Sequence, residues 1–169
     1  MKVVKLDEIR GARIGDAQWK PIRSTLGVEA FGINAYVCEQ SAATLFDEHD
    51  ETEPGASEQR HQELYFVATG RATFTVDGER IDAPAGTFVF VENPNSRRGA
   101  VASEPATTVI AVGGPVGEGY EVAPWEYWFR VRAAHQEGQL DKARALADEA
   151  LARWPEDREL SEALGSLLG

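Results

Sequence analysis

Between Glu63 and Val91 the chain reads ELYFVATGRATFTVDGERIDAPAGTFVFV. Ala72, Phe74 and Val76 alternate with Thr73 and Thr75, a period of two that puts the apolar set on one face of a sheet. Asp77-Gly78 tolerates the positive φ angles of a tight hairpin. Gly70 and Gly86 separate further apolar runs, so the segment predicts four short antiparallel strands in a barrel or sandwich. Leu64, Tyr65, Phe66 and Val67 are apolar in both parities, as in a strand covered on both faces. The barrel interior is one cover. The C-terminal helices or a second subunit is the other.

Outside this block the pattern is shorter. Val3, Val4 and Leu6 predict a first strand, Phe31 to Cys38 a second, and Thr44 to Phe46 another. The stretch Gly11 to Gly27 reads as irregular, anchored by Trp19 and Ile22. DEHDETEPGASEQRHQ is a long acidic loop centred on Pro54 and Gly55, and long loops of this kind are often functional. ENPNSRRG is a further loop, and Thr107 to Val112 is the last β-branched strand. From Pro124 the period changes to that of a helix. Pro124 suits a first helical turn, Trp125, Trp128 and Phe129 follow at helical spacing, and Gly138 ends the element. Leu140, Ala143, Ala147, Ala150, Leu151 and Trp154 form the stripe of a second helix, stopped by Pro155. Leu160, Ala163, Leu164, Leu167 and Leu168 mark a third. The expected division is a β-barrel over residues 1–122 and a helical segment over 123–169.

The 169 residues suit one main domain with an appendage. A formal net charge of -11 repels nucleic-acid phosphates and anionic membranes, so neither is expected as a partner. No apolar run is long enough to cross a bilayer. Lys2, Lys5, Asp7 and Glu8 interrupt any signal-like stretch, which makes the expected location cytoplasmic. The single cysteine, Cys38, lies in a strand pattern and reads as a buried thiol.

The block from Glu63 to Val91 resembles the cupin superfamily, small barrels of the double-stranded β-helix (jelly-roll) type. Glu63 and Gly70 have the spacing of the glutamate and glycine in the first cupin motif, and Gly86 opens the second. Glu92 stands where the second motif has proline, and Arg97 where it has histidine. The resemblance covers roughly residues 30 to 120. It implies a mainly β fold and a homodimer; the helical hairpin plus one helix that the pattern after Pro124 predicts would follow the barrel, and a small-molecule ligand is expected inside it. EGQLDKARALADEALARWPED resembles a tetratricopeptide-type helix pair, with Gly138, Leu140, Ala143, Ala150 and Pro155 at that repeat's spacing. Such units need a neighbour to cover their apolar face. A packing role on the barrel or a second subunit is expected for them, with partner recruitment as the alternative.

The paired histidines of the first motif would fall near residues 56–59, where none stands. His61 precedes Glu63 by two, so both side chains face the same way on a strand. If Thr52 to Arg60 is an insertion, His49 and Glu51 take the place of the displaced pair. Two readings stay open. In one, His49, His61 and Glu63, with Glu51 as an additional ligand, hold a divalent metal: iron, manganese, nickel, zinc or copper. In family terms that implies a dioxygenase, isomerase or decarboxylase of a small organic acid. In the other the metal is lost, and Arg97 or Arg98 pairs with Glu63 as a guanidinium fork on a carboxylate. Arg97, Arg98, Tyr65 and Glu63 then form a pocket for a small anionic molecule. No nucleophile–base pair is legible.

Overall fold

The structure, a computed structural model, describes residues 1–52 and 60–169. Pro54, Gly55 and the body of the insertion expected after Thr52 lie outside the described residues. Among the described residues ten strands and four helices follow a 3-10 turn at Leu6–Glu8: β1 Ala12–Ile14, β2 Ala17–Lys20, α1 Ile22–Leu26, β3 Gly32–Cys38, β4 Thr44–His49, β5 His61–Thr69, β6 Arg71–Val76, β7 Glu79–Pro84, β8 Phe88–Val91, β9 Arg98–Ala102, β10 Thr107–Pro115, α2 Pro124–Gln136, α3 Leu140–Arg153 and α4 Arg158–Leu168. The strands form two antiparallel sheets, ordered β1-β2-β3-β10-β5-β8 and β4-β9-β6-β7.

The alternation read in the Glu63–Val91 block sets the core. Ala72 and Phe74 of β6 point between the sheets and are fully buried, as are Tyr65 and Val67 of β5. Phe46 stacks on Tyr65 at 5.1 Å and meets Phe74 at 6.1 Å, so aromatic rings from both sheets fill the centre. Asp77 and Gly78 take φ of 49° and 83°, the positive pair that joins β6 to β7. Cys38 is buried, and burial pushes its thiol pKa up.

Three expectations change. Val3 to Leu6 forms no strand; the chain makes only the 3-10 turn there, and Val3 is exposed. The stretch taken as irregular is a hairpin and a short helix: Trp19 is fully buried and pins β2 to β3, and Ala12, Ala17 and Ile22 are buried with it. The loop expected up to Gly99 ends two residues early, at Arg97, and β9 follows, its Gly99 and Ala100 paired with β6.

The helices pack where β1 and β2 lie. Trp19 meets Trp125 at 6.3 Å and Phe129 at 5.2 Å, both edge-on, and Ala12 and Ala133 complete this cluster. Arg23 of α1 and Glu126 of α2 form a buried two-pronged pair, 2.7 Å from Nε and 2.6 Å from Nη2. Among themselves the helices bury Tyr127, Val131, Ala143, Ala147, Ala150 and Leu164, with the small residues where helices approach closely. The tail therefore does not cover the outer face of β5. That face keeps Phe66 stacked on Phe88 at 4.5 Å, with Phe88 and Phe90 63% and 57% exposed on the edge strand β8.

Candidate metal centre and barrel cavity

Two strands from opposite sheets bring the acidic and imidazole groups together. β4 ends at His49 and carries Glu51 just beyond it, while β5 presents His61, Glu63 and Tyr65 on one parity. In the register of the small sheet His49 stands opposite Arg98 of β9. Glu63 stands opposite Gly113 of β10. A Cβ on Gly113 would come within 3.2 Å of Glu63 Cγ, so the absent side chain leaves room for the carboxylate to lie across the strand.

One ligand atom each from His49, Glu51 and Glu63 lies within 4.8 Å of the others. His49 Nε2 is 3.6 Å from Glu51 Oε1 and 3.9 Å from Glu63 Oε2. His49 Nδ1 lies 2.8 Å from the Asp47 carbonyl. A carbonyl only accepts, so Nδ1 carries the hydrogen. In the neutral ring the Nε2 lone pair then faces the two carboxylates, the arrangement that second-shell carbonyls give to metal-binding histidines. His61 stands one step further out, its Nδ1 3.5 Å from Glu51 Oε2. Arg98 is fully buried. Its Nε donates to Glu63 Oε2 at 3.0 Å, and its Nη1 donates to the Pro94 and Ser96 carbonyls at 3.1 and 2.7 Å. The Tyr65 hydroxyl donates to the same Glu63 oxygen.

This crowding splits the titrations. Burial pushes the Glu63 carboxyl up and the neighbouring Glu51 charge pushes it further, outweighing Tyr65, Arg98 and His49. Burial raises Glu51 too, but its bond to His49 and the charges of His61, His49 and Arg98 bring it below the ordinary range. Burial alone would lower His49, yet Glu51, the Asp47 carbonyl and Glu63 raise it. His61 is lowered, by burial and by Arg98. The site thus holds an ionised carboxylate, a carboxyl inclined to keep its proton and an imidazole inclined to stay charged. A cation seated here displaces the protons of Glu63 and His49, and only then do two carboxylates and a neutral imidazole face it. One imidazole and two carboxylates fit manganese, iron or zinc better than soft-ligand metals.

A cavity of about 390 Å3 opens from this cluster. His49, Glu51, His61 and Glu63 line it, and so do Asn34 and Tyr36 of β3. Tyr120, Trp125 and Phe129, which follow the barrel, line it too. Of the residues expected at the site, His49, Glu51 and Glu63 come together and His61 borders them. Tyr65 and Arg98 sit beneath Glu63. Arg97 points outward and pairs with Glu48 at 2.9 Å and Asp50 at 3.7 Å. Phe74 faces inward and Phe88 outward. Asn34, Tyr36 and Tyr120 were not among the residues expected at the site; Asn34 and Tyr36 share one parity of β3, and Tyr120 carries no sequence signal.

Residues 124–167 match the tetratricopeptide repeat family. No curated protein matches the sequence. Among solved structures the chain is similar to a protein from Thermotoga maritima described as a predicted oxalate decarboxylase. The TM-score is 0.54 at 15% identity, over 68% of this chain and 100% of that one. It is also similar to the nucleoside dehydratase Pac13 from Streptomyces, with a TM-score of 0.50 at 15% identity over 73% and 93% of the two chains. A cupin protein from Bacteroides fragilis matches with a TM-score of 0.46 at 19% identity, over 67% and 91%. The two sheets are a cupin-type barrel. The helices behind them are of tetratricopeptide type, and no helix among the described residues is long and apolar enough to cross a membrane.

Proposed function

We propose that the barrel cavity binds a small anionic molecule at a divalent metal held by His49, Glu51 and Glu63. The convergence of these three ligand atoms within 4.8 Å carries the reading. With neutral His49, the two carboxylates balance the metal, and buried Arg98 leaves a surplus of positive charge. That surplus favours a carboxylate or another small anion in the cavity. The anion then owes its hold to the metal rather than to Arg97, which is engaged outside the barrel. When bound, such a metal acts as a Lewis acid toward an oxygen of the ligand. The chain's own contribution is to orient Nε2 of His49 through the Asp47 carbonyl and to keep Glu51 ionised. Dioxygenase, isomerase and decarboxylase chemistry on a small organic acid remain the classes this arrangement suits. The packing of α2 on β1 and β2 favours a structural role for the tail over partner recruitment.

The test is elemental mass spectrometry of protein purified without chelator or metal-binding tag. Close to one manganese, iron or zinc per chain is expected, falling to background in His49→Ala and Glu63→Gln. Metal well below one per chain after reconstitution overturns the reading.

A homodimer in the cytoplasm fits the same picture. The support for self-association is the row of exposed phenylalanines on edge strand β8, an apolar face that a second copy would cover.

A further inference from the structure

The barrel does not enclose its own cavity. Trp125 and Phe129, one turn apart on α2, form part of the wall that also holds Glu51, His61 and Glu63. Both are half-buried, backed by the fully buried Trp19. An aromatic path joins this wall to the acidic cluster. His49 lies 5.8 Å from Phe46, Phe46 lies 5.1 Å from Tyr36, and Tyr36 packs in the same cluster as Trp19, Trp125 and Phe129. Tyr120 lines the cavity from the linker, its ring 5.3 Å from that of His61.

Two polar atoms on the cavity residues are stranded. His61 is 6% exposed and Asn34 8%, and among the described residues neither His61 Nε2 nor Asn34 Oδ1 has a hydrogen-bond partner. A buried polar atom left without a partner is costly. Both line the cavity, so a molecule seated there reaches them. With His61 Nδ1 turned toward the Glu51 carboxylate, Nε2 of the neutral ring is an acceptor, as is Asn34 Oδ1. What is missing at this point is a donor.

We infer that the ligand is a hydroxy-substituted organic acid with a planar apolar body. Its acid group sits at the His49–Glu51–Glu63 end, its hydroxyl donates to His61 or Asn34, and its ring lies against Trp125 and Phe129. The tetratricopeptide-type tail is thus a specificity wall of the barrel site. The acid end of this inference rests on the metal-centred reading above; the ring end rests on the tail.

The experiment is isothermal titration of the manganese-loaded chain, barrel and helices together, with acetate, benzoate and 3-hydroxybenzoate. Benzoate is expected to bind at least about tenfold more tightly than acetate, the scale of a modest apolar contact in a pocket. 3-Hydroxybenzoate is expected to bind more tightly still. Phe129→Ala should bring the benzoate-to-acetate ratio close to one. Phe129→Leu keeps the bulk against Trp19 and serves if the alanine variant fails to fold; it should reduce the ratio severalfold. Metal uptake, measured on the same samples, reports an intact barrel. A ratio near one in the unmodified chain, or a ratio unchanged in the Phe129 variants, overturns the inference while acetate binding leaves the metal-centred reading standing. If the chain takes up no metal, or binds none of the three acids, that reading fails and this inference falls with it.

Discussion

Arg98 Nε donates to Glu63 Oε2 at 3.0 Å from a position with no solvent exposure, where the second cupin motif has its histidine nearby. A fixed cation thus occupies the place beside the three candidate ligands. The guanidinium is held by the Pro94 and Ser96 carbonyls, so it cannot swing away without stranding its own donors. Arg98→Ala leaves a buried carboxyl without its cation, and breaking a buried pair costs roughly 3–5 kcal/mol. The metal-free variant should melt well below the unmodified chain, and manganese should raise its melting temperature more than it raises that of the unmodified protein. Differential scanning calorimetry with and without metal checks both. Arg98→Lys should not restore stability, because a lysine lacks the fork that reaches Glu63 and the two carbonyls together.

Metal binding must displace protons. His49 is held above its ordinary 6.5 and Glu63 above its ordinary 4.5, so each keeps a proton to higher pH than an exposed counterpart. A raised pKa means the metal competes with a bound proton until pH exceeds the raised value. Apparent affinity should therefore climb with pH through the range just above 6.5, by about tenfold per unit where one proton is released. Above the raised His49 value it should level off. Manganese titrations at a series of pH values give the slope. Asp47 contributes only its carbonyl to this balance, so Asp47→Ala should leave the slope unchanged.

Arg23 and Glu126 are 103 residues apart in sequence yet form a two-pronged buried pair. Arg23→Ala or Glu126→Gln alone should destabilise the fold by roughly 3–5 kcal/mol. Replacing both, as Arg23→Met with Glu126→Leu, should cost much less than the sum of the two single changes. A double-mutant cycle from urea unfolding isolates the coupling. Equal and additive losses would mean the pair is a passive contact.

Light scattering should give twice the mass of one chain, 18.5 kDa. Phe88→Glu with Phe90→Glu places charges on the exposed side of β8 and should yield a folded monomer that melts slightly lower, since Phe88 also stacks on Phe66. A dimer that survives both substitutions would place the contact elsewhere.

The central barrel was legible because its alternation is strict and its turns carry the residues that positive φ requires. Phe74 and the Asp77-Gly78 turn are the clearest cases. The hairpin β1–β2 was not legible, because its apolar residues keep no strict alternation and the burial of Trp19 depends on helices more than a hundred residues away. β9 was hidden behind two arginines: a buried Arg98 reads in sequence like the exposed Arg97 beside it, and only tertiary pairing separates them. For the same reason the site was legible as a set of residue types, His49, Glu51, His61 and Glu63, but not as a geometry. Asn34, Tyr120, Trp125 and Phe129 join it through packing across the whole chain, which no local pattern encodes.

The lock between Arg23 and Glu126 also bears on how this architecture is handled as a set of parts. Cutting the chain at residue 123 removes Glu126 and the rings over Trp19 in one stroke. The remaining barrel would keep every candidate metal ligand, yet carry a stranded guanidinium and an uncovered indole beside its own cavity. Grafting the barrel onto another scaffold therefore requires carrying α2 along, and exchanging α2 for a helix of different sequence re-cuts the mouth of the cavity at the same time.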